Sequence, residues 1–180
     1  FTTSSQAGST TYTVTVSTAV TDTNGNPMAA GYPFSYTTAD VAAPTVTAFT
    51  ATTPSTSLSI PITSFTATDN SAVTGYKITT SPTAPLAGDA GWTGTAPATY
   101  TIASDATYTL YPWAKDASGN VSAVFATPRT VVVDTTAPTV STTVPTSGAT
   151  AVALNSSVTI NWSENVNCST VSTTNITINN

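Results

Sequence analysis

The side chains in this sequence that could do chemistry are few and mostly acidic. The 180 residues include Lys+Arg 3, Asp+Glu 8 and no His, for a formal net charge of −5. General acid–base catalysis needs a group that titrates near the working pH, and nucleophilic catalysis needs a base beside the nucleophile. With no imidazole and Glu164 as the sole glutamate, the usual proton carriers are missing. Cys168, the one cysteine, has neither a histidine to activate it nor a second thiol to pair with. Its setting, Asn167-Cys168-Ser169, predicts a small packed side chain. A glycosidase would need two carboxylates at one cleft, whereas Asp22, Asp69, Asp116 and Asp134 lie in separate turns and linkers. No enzymatic activity is expected.

The same carboxylates suit a hard cation better. Asp22-Thr23-Asn24-Gly25-Asn26 and Asp116-Ala117-Ser118-Gly119-Asn120 each gather oxygen ligands around a glycine turn, as Ca²⁺ sites require. Asp22, Asn24, Asn26, Asp116, Asn120 and Asp134 are therefore the candidate calcium ligands. Neither run has the full EF-hand spacing, and an Asx-turn closing a hairpin uses the same residues without an ion. The Asx-turn is the preferred reading. Tyr111 and Trp113 share one face of a candidate strand, opposite Leu110. That pair is either a partner surface, including one that stacks on sugar rings, or core if the face assignment is inverted.

The elements that must position these residues are strands. Period-2 alternation recurs along the chain and helical periodicity is almost absent. Thr and Val, abundant here, are β-branched and fit a pleated sheet. Strands are expected at 11–16 and 32–38, then near 45–51, 57–68, 73–80, 98–103, 107–115 and 122–133, and finally at 139–144, 157–162 and 175–178. In 107–115, Tyr108, Leu110, Pro112 and Ala114 point inward. Tyr108 at the start of such a strand matches a tyrosine corner, whose hydroxyl bonds backbone upstream. Pro112 removes a ladder donor, so it must sit at an edge, at a bulge, or with its nitrogen facing away from the neighbouring strand.

Three segments follow from the Pro-containing linkers Val41-Ala42-Ala43-Pro44 and Asp134-Thr135-Thr136-Ala137-Pro138. Residues 41–135 hold a full set of sandwich strands. Residues 1–40 read as the closing strands of a β-module and 136–180 as the opening strands of one. An isolated hairpin is marginal in water, so both end segments are expected to need strands from elsewhere. Three cations cannot neutralise many phosphates, which excludes nucleic acid as a partner. No run of 18 apolar residues is present, so no membrane insertion is expected.

These residues resemble the bacterial Ig-like repeats found in tandem in surface-layer proteins, large adhesins and secreted multidomain proteins. The opening of such a module is carried by Asp134-Thr135-Thr136-Ala137-Pro138-Thr139-Val140, Pro145-Thr146-Ser147-Gly148-Ala149 and Ile160-Asn161-Trp162-Ser163-Glu164-Asn165-Val166. Its closing is carried by Thr11–Val16, Asp22-Thr23-Asn24-Gly25-Asn26-Pro27 and Tyr36-Thr37-Thr38. The middle segment is similar to a second Ig-like type through Thr68-Asp69-Asn70-Ser71, Gly75-Tyr76-Lys77-Ile78, Trp92 and Leu110-Tyr111-Pro112-Trp113-Ala114-Lys115-Asp116. The resemblance implies an all-β chain of immunoglobulin-like or fibronectin III-like sandwiches, extracellular, with a structural role in a filament, stalk or surface layer. It implies copies of the chain or adjacent Ig-like repeats as partners, head to tail, and surface glycans as an alternative partner. It also places Asp40 and Asp134 just before linkers, where related repeats sometimes use calcium to stiffen the joint. The other expectation is a spacer or glycan-binding module of a larger secreted enzyme or redox protein.

Overall fold

Alternating small, β-branched and aromatic residues pair into antiparallel strands throughout, as the computed structural model describes for residues 5–179. The chain divides into two units, Phe1–Asp134 and Thr135–Asn180.

In the first unit, β1 (Thr11–Val16) and β2 (Tyr32–Thr37) form a two-stranded antiparallel sheet, with Thr11 opposite Thr37 and Val16 opposite Tyr32. Thr11 and Thr37 join their hydroxyls across one face at 2.9 Å, and Thr13 and Ser35 do so at 2.8 Å. On the other face Tyr12 stacks on Tyr36 with ring centroids 5.9 Å apart. Little covers these rings: Tyr32 is 63% exposed and Phe34 45%.

The rest of the first unit is a complete sandwich of two three-stranded sheets. One sheet runs β3 (Thr45–Ala51), β4 (Ser59–Thr68), β6 (Thr99–Thr101); the other runs β5 (Val73–Thr79), β7 (Ala106–Asp116), β8 (Arg129–Val133). First, second and fourth strands facing third, fifth and sixth is the partition of an immunoglobulin-like fold. The core between the sheets holds Val46, Phe49, Ile60, Phe65, Ile78, Leu110, Ala114 and Val131. Phe49, Phe65 and Tyr76 interlock edge to face, with centroids 5.4 and 5.1 Å apart.

Strand β7 carries the features read from its sequence. Leu110, Pro112 and Ala114 are fully buried. The Tyr108 hydroxyl donates to the Ser104 carbonyl at 2.9 Å, closing the expected tyrosine corner. Pro112 lies opposite Ile78 on β5. The N–H of Ala114, two residues on and so pointing the same way, donates to Ser122 Oγ on the other side of the strand. Strand β8 pairs only as far as Leu110, so the proline nitrogen faces a side with no ladder to break.

The second unit pairs β9 (Val140–Val144) with β10 (Thr159–Trp162) in another two-stranded antiparallel sheet, followed by a 3₁₀ turn at Cys168–Thr170. Three expectations are corrected. Residues 175–178 form no strand, having no neighbouring strand to pair with. The last sandwich strand begins at Arg129: the chain bonds to the end of β7 at Ser122, whose amide donates to the Ala114 carbonyl, and 123–128, which includes Pro128 with no amide to donate, does not pair with it. Cys168 is exposed, not packed, because it opens a short 3₁₀ turn none of whose residues is buried.

Candidate functional site

Two turns of the same sequence pattern adopt the same bonding. In the β1–β2 connection, Asp22 Oδ1 accepts from the amides of Asn24 and Asn26, each at 2.9 Å, and Oδ2 accepts from Asn26 Nδ2 at 2.9 Å. At the end of β7, Asp116 Oδ1 accepts from the Asn120 amide at 2.8 Å and Oδ2 from Asn120 Nδ2 at 2.7 Å. In both, glycine takes a left-handed conformation (φ +89° at Gly25 and at Gly119), where an L side chain would be strained. The Asn26 bonds hold the Asp22 carboxyl below the usual carboxylate range. This is the Asx-type arrangement in both places.

The surroundings of the two turns differ. Asp22 is exposed, whereas Asp116 is 3% exposed and meets two other acids. Asp40, Asp69 and Asp116 each bring a carboxylate oxygen within 4.8 Å of the others. Antiparallel alternation explains the meeting. β3 begins, β4 ends, β5 begins and β7 ends at one pole of the sandwich, with Thr45 opposite Thr68 and Val73 opposite Asp116. Asp40 lies just ahead of β3 and Asp69 just after β4. The sequence reading spread these acids over separate turns, and Asp69 was absent from its calcium set. Strand parity along 45–116 was the signal that could have united them.

Asp116 is bonded through both oxygens, whereas Asp40 and Asp69 are each fixed by one. Asp40 Oδ1 accepts from the Ala42 amide at 3.0 Å and from Asn70 Nδ2 at 3.3 Å, and Asp69 Oδ2 accepts from the Ser71 amide at 3.1 Å. The Ala42 amide is the main cause of an Asp40 carboxyl held below the ordinary range. The second oxygens, Asp40 Oδ2 and Asp69 Oδ1, are buried and have no hydrogen-bond partner. Asn120 Nδ2 also donates to the Asp40 carbonyl at 3.2 Å, tying the linker to the turn.

The remaining candidates lie elsewhere. Asp22, Asn24 and Asn26 are together in the β1–β2 turn, and Asp134 follows β8, its amide donating to the Ser55 carbonyl at 3.0 Å. Tyr111 and Trp113 do share a face, but Trp113 is 1% exposed and its indole N–H donates to Thr79 Oγ1 at 2.8 Å. Its expected place on a partner surface is corrected to the interior. The connection between β5 and β6 is bound to this outer face: Lys77 Nζ donates to the Ala90 carbonyl and Lys115 Nζ to the Ala87 carbonyl, both at 2.7 Å. Trp92 of that connection lies 5.8 and 5.1 Å from the two ammonium groups, a cation–π clasp.

The all-β sandwich with a Tyr108 corner is an Ig-like fold. The family model of the bacterial Ig-like domain matches residues 1–38 and 134–180. Both end segments are thus similar to bacterial Ig-like sequence. No curated protein and no solved structure matches the chain significantly.

Proposed function

We propose that this chain is a structural segment of an extracellular bacterial surface protein. Its Ig-like modules run head to tail, and the part-modules at 1–40 and 136–180 are completed by strands of an adjoining copy. One observation carries the reading: the same family model matches both end segments, and each of them forms a sheet of only two strands.

The uncovered apolar surface of both sheets supports it. In the second unit, Val158, Ile160, Trp162, Val171, Ile176 and Ile178 line an open hollow of about 330 Å³, and Ile178 is 84% exposed. In the first, Tyr32, Phe34 and Tyr36 stand out from β2. A sandwich half that lacks its facing sheet presents such a surface, and strand addition covers it while satisfying main-chain donors. Contacts of this head-to-tail kind do not close on themselves and so build filaments. The role is mechanical, not catalytic; the absence of His and the turn-bound carboxylates favour this. Among the described residues no helix is long and apolar enough to cross a membrane.

Light scattering of the full chain over a concentration series tests the proposal. Linear oligomers should lengthen as concentration rises, and Ile178→Asp, a change at an exposed position, should shorten them. A monomer at every concentration would contradict it.

A further inference from the structure

We infer that the 80–97 connection guards the outer edge of β5, and that releasing it turns this edge into a docking site for β5 of a second copy. The inference concerns the complete sandwich alone and stands whether or not the end segments are finished by a neighbour. β5 is an outermost strand of its sheet, and such a strand presents a row of unpaired amides and carbonyls. Alternation says which groups these are. Ile78 lies opposite Pro112, which has no amide to give, so Thr74, Tyr76 and Ile78 turn their backbone groups away from β7. Thr93 fills the middle of that row in both directions. The Tyr76 amide donates to the Thr93 carbonyl at 2.8 Å, and the Thr93 amide donates to the Tyr76 carbonyl at 3.0 Å. A second β5, antiparallel about Tyr76, would make the same two bonds and is complementary to itself. It would set Lys77 of each copy opposite Gly75 of the other, so like charges would not meet.

The guard is fastened from the surface, by two of the three cations in the chain. Lys115 reaches from β7 across β5, its stem passing over Gly75, where a Cβ would stand 2.7 Å from it. Its ammonium bonds the Ala87 carbonyl, and that of Lys77 bonds the Ala90 carbonyl and pairs with Asp89 at 3.8 Å. Trp92 takes both ammonium groups against its ring, and its indole N–H donates to the Leu86 carbonyl at 3.0 Å. The opposite edge of the same sheet is closed too. On β8 the Val132 carbonyl accepts from the Ser55 amide at 2.9 Å, and the Val132 amide donates to Thr53 Oγ1 at 3.1 Å. Irregular chain thus covers both edges, an arrangement that keeps a sheet from adding strands.

Amide hydrogen exchange on the full chain at low and high concentration, with light scattering alongside, tests the inference. In the unaltered chain the Tyr76 amide should exchange slowly at every concentration. In Trp92→Ala/Lys115→Met, which loosens the clasp, it should exchange at least about 10-fold faster in dilute solution. It should slow again as concentration rises and paired copies form, with the β7 amides slow throughout. Thr93→Pro takes away the amide that bonds the Tyr76 carbonyl and should act in the same direction. Joining of copies through β1, β2, β9 or β10 leaves this readout unmoved. A Tyr76 amide that stays slow in dilute solution in both variants, or that opens and stays fast at every concentration, would overturn the inference. Loss of β7 protection in both variants would do so as well, because the connection would then belong to the core.

Discussion

Tyr108 concentrates several roles in one side chain. Its ring packs against the core while its hydroxyl closes the turn back to Ser104. Tyr108→Phe keeps the ring and removes only that bond, so urea denaturation should register a loss of about 1 kcal/mol. This residue was legible in the sequence because a tyrosine entering an alternating strand has few other uses. Trp113 was not. Alternation places it on the face away from Leu110, but it does not say that the distant 80–97 connection is fastened to that face through Lys77 and Lys115. Asp69 was missed for a related reason: its neighbours in space come from strands beginning and ending far away in sequence. Local pattern reports the face of a side chain, not what arrives from elsewhere.

The strands divide into those with a facing sheet and those without, and their energetics should divide likewise. Leu110 is fully buried between the two sheets, so Leu110→Ala should cost about 2–5 kcal/mol in equilibrium unfolding of the sandwich. Phe34 on β2 is as large and apolar but 45% exposed, and Phe34→Ala should move the same transition by less than about 0.5 kcal/mol. A large cost at Phe34 would mean that the β1–β2 sheet is packed against something the isolated chain already supplies. Most strands were readable from alternation, β7 included. The lapses came where pairing decides: 175–178 has a strand-like pattern and no partner strand, and 123–128 alternates beside β7 without pairing to it. The turns show the same limit. Asp22–Asn26 and Asp116–Asn120 read alike and bond alike, yet only the second lies where two other acids converge.

At the scale of the whole chain, one complete sandwich is flanked by two sheets of two strands each. The apolar side chains exposed on those sheets have the composition of a core and the exposure of a surface. The proposed completion of the end modules by a neighbour rests on that contrast. Amide hydrogen exchange, mapped strand by strand on the full chain, examines this directly. In dilute solution the account predicts slow exchange in β4 and β7 and near-unprotected exchange in β1, β2, β9 and β10, with protection of those four strands rising as concentration brings copies together. Protection of β9 and β10 in dilute solution equal to that of β7 would contradict it, because the open sheets would then be stable without a partner.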